Sequence, residues 1–133
     1  MQQGLLVPAT AYLKAQRIRA SLMYDLDRAF EQVDFLVRPT TATPAPKLDA
    51  GPSETGAPTG VLRISLRRLT QPFNLTGSPA LTVPCGFSRH GLPIGLQLVG
   101  RPSDEACLLN LAYADERSTP WKDRHPALSL LLP

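Results

Sequence analysis

Cysteine and histidine are scarce in this sequence, and their scarcity limits the chemistry that it can support. The 133 residues contain two cysteines, Cys85 and Cys107, and two histidines, His90 and His125. None of the four has a second such residue at the short spacing that zinc sites use, and the cysteines do not form the repeated pattern of a disulfide framework. We therefore expect no metal site, no cofactor and no fold built on disulfides.

The sequence also lacks the segments that direct a chain into or across a membrane. No apolar run approaches the ~20 residues that a membrane-spanning helix requires, and no segment combines a basic start, an apolar stretch and a cleavage site. Lysine and arginine number 14 against 11 aspartates and glutamates. The basic residues are spread along the chain apart from Arg63, Arg67 and Arg68, which favours a solvated surface over a nucleic-acid patch. These features predict a cytoplasmic protein that binds neither nucleic acid nor membranes.

A complete hydrolytic site is missing as well. Nucleophilic hydrolysis needs a hydroxyl or thiol beside a base, together with donors for the oxyanion. The sequence has neither a Gly-x-Ser-x-Gly elbow nor a glycine- and serine-rich string. We interpret Ser78 as a turn residue and Cys85 as a small core residue of a strand. Lys14 and Lys47 fall in a solvated helix face and a loop, so no catalytic residue is predicted.

The first half of the chain has the pattern of a helix, a strand and a loop. Apolar residues recur at steps of three and four over 8–33, which places them on one stripe of a helix. The short apolar run over 34–38 suits a strand buried on both faces. Residues 39–61 are rich in proline and glycine and predict a loop, with 47–60 as its least ordered part. A helix followed directly by a buried strand is typical of α/β folds.

The second half predicts a broken helix, two strands and a further helix. Apolar side chains step by three and four over 62–76, and the helix should break near Thr70 because Pro72 cannot occupy a helix interior. Thr70 is a natural cap for the short second piece. Alternating apolar residues over 80–99 predict two strands that pair as an antiparallel hairpin. Ser103 is a suitable cap for a helix over 103–117. Residues 118–133 form a tail without a usable pattern.

Two long ordered strings lie in this second half. They are Gln-Pro-Phe-Asn-Leu-Thr-Gly-Ser-Pro-Ala-Leu-Thr-Val-Pro-Cys-Gly at 71–86 and Gly-Leu-Pro-Ile-Gly-Leu-Gln-Leu-Val-Gly-Arg-Pro at 91–102. Together they resemble the C-terminal part of the amidase signature family. The resemblance implies an α/β fold with a mixed β-sheet covered by α-helices, in which residues 1–133 form a C-terminal portion of a single domain.

The same resemblance implies a function for the complete enzyme. The family hydrolyses carboxamides with a Ser-Ser-Lys catalytic set, and its glycine- and serine-rich string lies upstream of the part that this chain resembles. The chain would then supply sheet core and part of the substrate-pocket wall, but not the catalytic set. A small-molecule amide would bind only in the complete enzyme, and the chain alone would associate through its exposed sheet surface.

The resemblance also points to two site residues. In the family the Pro72-Phe73-Asn74 turn lies near the substrate pocket, so Phe73 is a candidate pocket wall and Asn74 a candidate polar group that holds the turn. Packing and turn support alone is an equal alternative for both.

Two other functions remain open. In the related A subunit of aminoacyl-tRNA amidotransferase, an acidic residue precedes this turn and holds the amino group of glutamine. Arg67 and Arg68 stand there in this chain, which favours a general amidase. The second alternative is a binding or scaffold protein that lacks catalysis.

Overall fold

The computed structural model of the chain describes residues 6–46 and 67–124. The predicted least ordered stretch at 47–60, the first turns of the helix predicted over 62–76 and the end of the tail lie outside the described residues. The elements are α1 (Ala9–Phe30), β1 (Leu36–Pro39), α2 (Gln71–Thr76), β2 (Ala80–Phe87), β3 (Pro93–Val99), α3 (Glu105–Ser118) and a 3-10 turn (Trp121–Asp123).

The three described strands form one sheet in the order β1-β3-β2. The predicted hairpin of β2 and β3 is confirmed, because the two strands pair antiparallel with Val83 opposite Leu96. β1 also pairs antiparallel with β3, with Val37 opposite Leu98. Every pairing among the described strands is antiparallel, so a mixed sheet requires strands beyond them.

Each face of the sheet carries its own apolar cluster. On one face, Val83 and Leu98 pack against Leu108 and Ala112 of α3. On the other face, Val99 packs against Phe30 at the end of α1 and Phe73 in α2. Successive side chains of a strand point to opposite faces, so the neighbours Leu98 and Val99 connect the two clusters through one strand.

The apolar stripe of α1 is packed at its C-terminal end. Phe30 is 4% exposed, whereas Ile18, in the first half of the helix, is 62% exposed. A helix with one apolar face is stabilised mainly by the surface that it covers. Within the described residues, the first half of α1 therefore leaves apolar side chains uncovered.

Within the described residues, the strand predicted over 34–38 is not buried on both faces. The structure has β1 at Leu36–Pro39, with alternating half-buried and exposed residues. Val37 is 58% exposed, and the strands that α3 mainly contacts are β2 and β3 rather than the edge strand β1. The hydrophobic run indicated a strand correctly but did not reveal which of its faces is covered.

Two predicted helix caps also differ from the structure. Asp104 occupies the N-cap position of α3, and Ser103 precedes it with a φ of 67°. A serine in that left-handed turn lies outside the helix entry and cannot cap it. Thr70 is at the N-cap position of α2, but its hydroxyl donates to the Arg67 carbonyl at 3.2 Å instead of accepting from the first turn of the helix.

Candidate substrate-pocket wall

The short helix α2 places Phe73 and is fixed at both of its ends. Pro72 lies in the first turn, where its missing N–H costs no intrahelical bond. Gly77 ends the helix with a left-handed φ of 79°, and its N–H donates to the Phe73 carbonyl at 2.8 Å. A side chain other than glycine would be strained at this φ, so the turn depends on Gly77.

The polar group that holds this turn is Thr76, which was not predicted from the sequence. Its hydroxyl donates to the Pro72 carbonyl at 3.0 Å and lies 3.1 Å from the Ser78 hydroxyl. Thr76 and Ser78 are 6% and 9% exposed, so a buried pair of hydroxyl groups stabilises the C-terminal end of α2. The sequence spacing could have indicated this role, because the hydroxyl of a threonine four residues after Pro72 can donate a hydrogen bond to the Pro72 carbonyl.

The two predicted site residues differ in burial. Phe73 is 3% exposed and packs with Phe30 and Val99. Asn74 is exposed, and its side chain makes no hydrogen bond within the described residues. Phe73 therefore lies between the apolar cluster and the groove beside it, whereas Asn74 has no hydrogen bond to the turn within the described residues.

A groove of about 550 Å³ opens beside Phe73. It runs between α1, where Leu22 and Leu26 line it, and β1, where Leu36 and Arg38 line it. The guanidinium carbon of Arg38 is 5.4 Å from the centre of the Phe73 ring, within the range of a cation–π contact. The groove is thus apolar along its length and cationic at the Arg38 end.

A row of polar side chains crosses this face of the sheet. Arg38, Gln97 and Thr82 lie opposite one another on the three strands. Gln97 is 5% exposed, and its Oε1 has no hydrogen-bond donor within the described residues. A buried amide oxygen normally has a donor, so Gln97 marks a polar point on a largely apolar sheet.

Gly95 leaves room for Thr40 and Thr82 to approach each other next to this polar row. The Thr40 and Thr82 hydroxyls lie 3.2 Å apart, and the Thr40 N–H donates to the Gly95 carbonyl at 2.9 Å. A Cβ on Gly95 would lie 2.8 Å from Cγ2 of Thr82 and 2.9 Å from Oγ1 of Thr40. A side chain at this position would therefore force the two threonine side chains to move.

Nothing in the described residues forms an activated nucleophile. The Ser78 hydroxyl forms a hydrogen bond with the Thr76 hydroxyl. Cys85 lies at a β-bulge with its Sγ 3.5 Å from the Ile94 carbonyl, half-buried and outside both core clusters, so its prediction as a core residue is wrong. The hydrogen bond and the charge of Asp104 raise the pKa of the Cys107 thiol, which disfavours the reactive thiolate.

The described residues also give no lysine the position of a catalytic base. Lys14 is exposed on α1, and Lys47 lies outside the described residues. The part of the chain at 6–46 and 67–124 contains no group of three side chains able to hold a metal ion. No helix in that part is long and apolar enough to cross a membrane.

Comparison with known proteins shows the family. The model of the Amidase family matches residues 2–109. This chain belongs to the amidase signature family. The match and the helix-flanked sheet together confirm both the resemblance and the α/β fold class.

Curated relatives of the chain are amidotransferase subunits. The A subunit of glutamyl-tRNA(Gln) amidotransferase from Cyanothece sp. (strain PCC 7425 / ATCC 29141) is 48% identical over 117 residues, which are 88% of this chain and 23% of the relative. Its counterpart from Thermodesulfovibrio yellowstonii is 46% identical over 118 residues, again 88% of this chain and 23% of the relative. The chain therefore spans about a quarter of the length of these relatives.

Solved structures include both hydrolases and an amidotransferase. The 6-aminohexanoate cyclic dimer hydrolase superposes with a TM-score of 0.78 at 28% identity, over 92% of this chain and 27% of the hydrolase. The A subunit of glutamyl-tRNA(Gln) amidotransferase from Thermotoga maritima superposes with a TM-score of 0.73 at 28% identity, over 84% of this chain and 23% of that protein. The fold is thus shared with enzymes of both kinds.

Proposed function

We propose that this chain is the C-terminal portion of an amidase domain that cleaves the C–N bond of a carboxamide. It supplies the three-stranded sheet, the helix α3 that covers one face and the wall of a substrate pocket beside Phe73. The nucleophile, its base and the oxyanion donors come from the upstream part of the complete enzyme. The observation that carries this proposal is the family match over residues 2–109.

The geometry around Phe73 supports its role as a pocket wall. The ring packs with Phe30 and Val99, and the backbone bond from Gly77 to the Phe73 carbonyl fixes the end of α2. Binding energy contributes to a reaction when it holds the substrate rigidly near the reacting groups. A buried aromatic ring at the edge of a 550 Å³ groove is suited to hold the apolar part of an amide.

Complementation between two polypeptides tests the proposal. The 133-residue chain alone should release no ammonia above background from aliphatic amides, aromatic amides or glutamine, because loss of nucleophile and oxyanion donors typically costs several powers of ten in rate. Addition of the separately expressed upstream part should restore turnover if the two parts dock. Turnover by the chain alone that disappears in Ser78→Ala would show that the catalytic site lies within this chain.

The second candidate function is that of a glutamine-dependent amidotransferase, of which this chain would be a part. The curated relatives at 46% and 48% identity are A subunits of glutamyl-tRNA(Gln) amidotransferase. Arg67 and Arg68 argue against it, since a cation repels the ammonium group of glutamine. Rates for glutamine and for simple amides in the complete enzyme separate the two functions. A strong preference for glutamine would favour the amidotransferase, and a preference for other amides would favour the hydrolase.

We also propose that the isolated chain associates through its sheet. β1 and β2 are both edges of the described sheet, and unpaired strand edges recruit further strands. Val37 on β1 adds an apolar side chain that is 58% exposed. Size-exclusion chromatography should show oligomers of the chain alone, and a monomer with a sharp cooperative melting transition would contradict this.

A further inference from the structure

Two arginines share a cleft next to Phe73. Arg38 on β1 and Arg68 just before α2 line a space of about 270 Å³, together with Ala42 and Leu69. Arg38 also lines the larger apolar groove, so it stands where the two spaces meet. Among the described residues, the lining of the cleft has two cationic side chains and no acidic one.

The Arg38 side chain donates no hydrogen bond within the described residues. Its guanidinium lies over the Phe73 ring at 5.4 Å, and a guanidinium packed against a ring keeps N–H groups in its own plane that match a carboxylate bidentately. Arg38 is half-buried, so its charge is less screened than that of a fully exposed arginine. Within the described residues the ion pair joins Arg101 and Asp34, and no carboxylate contacts Arg38 or Arg68.

We propose that Arg38, assisted by Arg68, binds a carboxylate of the substrate, and that the complete enzyme prefers monoamides of dicarboxylic acids. This inference rests on the proposed function, because it assigns the substrate class of the same pocket. The methylene groups of such a substrate lie along the apolar wall, and its carboxylate meets the guanidinium groups. An α-ammonium group next to that carboxylate would meet two like charges, so glutamine is the poorer ligand.

The test compares two amides of nearly the same shape in the complete enzyme. Succinamic acid and butyramide differ in having a carboxylate or a methyl group at one end. Arg38→Met should lower kcat/KM for succinamic acid by about 10- to 100-fold, the factor expected for a lost charged hydrogen bond, chiefly through KM. The value for butyramide should change by less than about 3-fold. Arg38→Lys retains the charge but loses the planar fork, and it should fall between the two.

A binding measurement tests the carboxylate site independently of the proposed amide cleavage. Succinate has no amide, so calorimetric titration of the complete enzyme with succinate requires no turnover. Its affinity should fall by about 10- to 100-fold in Arg38→Met and also in Arg68→Met. Arg89→Met, which removes an exposed arginine from the hairpin loop, is the matched control and should leave the affinity unchanged.

Two results would overturn the inference. One is equal succinate affinity in the parent enzyme and in Arg38→Met and Arg68→Met. The other is an equal loss of kcat/KM for succinamic acid and butyramide in Arg38→Met, which would show that Arg38 only supports the Phe73 ring. If the complete enzyme cleaves no amide at all, the proposed function fails while the succinate titration still decides the carboxylate site.

Discussion

The two faces of the sheet are built differently although the same three strands form both. The helix-covered face, with Leu81, Val83, Leu96 and Leu98, packs against α3 and is apolar along its length. The mixed face begins at Val99 with an apolar cluster around Phe30 and Phe73. It then continues through Arg38, Gln97 and Thr82, so its character changes from apolar to polar within one strand.

We propose that the helix-covered face serves stability and that the mixed face serves binding. A uniform apolar face is explained by the area that it removes from water. The mixed face includes a buried Gln97 oxygen without a donor in the described residues and an arginine over an aromatic ring. Such groups contribute less to stability than apolar side chains of the same size, and binding sites are formed from a few polar groups beside apolar walls.

The largest expected loss of stability is at the apolar end of the mixed face. Phe73→Ala should lower the free energy of unfolding by about 3–5 kcal/mol, the usual cost of removing a fully buried aromatic ring. Asn74→Ala, at the exposed neighbouring position, should change it by less than about 0.5 kcal/mol. Chemical denaturation of the two variants makes the comparison, and equal losses would show that α2 as a whole, rather than the ring, supports this face.

The helix-covered face should be nearly as sensitive. Leu98→Ala removes a side chain that is 3% exposed and should cost about 2–5 kcal/mol. Val37 lies opposite Leu98 in the register but is 58% exposed, so Val37→Ala should cost less than about 1 kcal/mol. A loss of about 2 kcal/mol or more at Val37 in the complete enzyme would mean that a further element covers β1 there.

The sequence predicts the helix-covered face better than the mixed face. Alternation of Leu81 with Val83 and of Leu96 with Leu98 is visible along the chain, because a strand with one apolar face has a period of two. The polar row is not visible in the same way, since Arg38, Gln97 and Thr82 come from three separate strands. Their proximity depends on strand order and register, which residue periodicity does not specify.

The candidate site shows the same limit at the level of single residues. The turn at Phe73 is indicated by Pro72 and Gly77, whose backbone preferences are local. Which side chain then holds the turn is decided by whether it is buried, and Thr76 rather than Asn74 is on the buried side. Arg38 lies far from Phe73 along the chain, so the cation–π contact between them is a property of the fold alone.

A smaller effect is expected where the polar row is most tightly packed. Gly95→Ala would bring a methyl group to 2.8 Å from Cγ2 of Thr82, and overpacking of this kind costs about 1–3 kcal/mol. Thr82→Ser removes that Cγ2 and keeps the hydroxyl, so the double variant should recover part of the loss. If Thr82→Ser gives no recovery, the strain arises from Thr40, whose Oγ1 is 2.9 Å from the new methyl group.

The smallest predicted effect concerns the contact that positions Phe30 against the mixed face. Arg101 donates to the Phe30 carbonyl at 2.8 Å and to the Val33 carbonyl at 3.2 Å, and it also reaches Asp34 at 3.2 Å. The last carbonyls of a helix have no partner within the helix and are partially negative, so a cation there is stabilising. Arg101→Met should therefore lower the free energy of unfolding by about 1–2 kcal/mol.

A variant of Asp34 separates the contribution of the ion pair from that of the hydrogen bonds that Arg101 donates to the carbonyls. Its side chain is 81% exposed, and exposed ion pairs contribute about 0–1 kcal/mol. Asp34→Asn should therefore cost less than Arg101→Met, and the difference should persist in high salt, because the part-buried hydrogen bond to the Phe30 carbonyl is screened less than the exposed pair. Equal losses in the two variants that both vanish in high salt would instead assign the whole effect to the ion pair, leaving the end of α1 to be held by Phe30 packing alone.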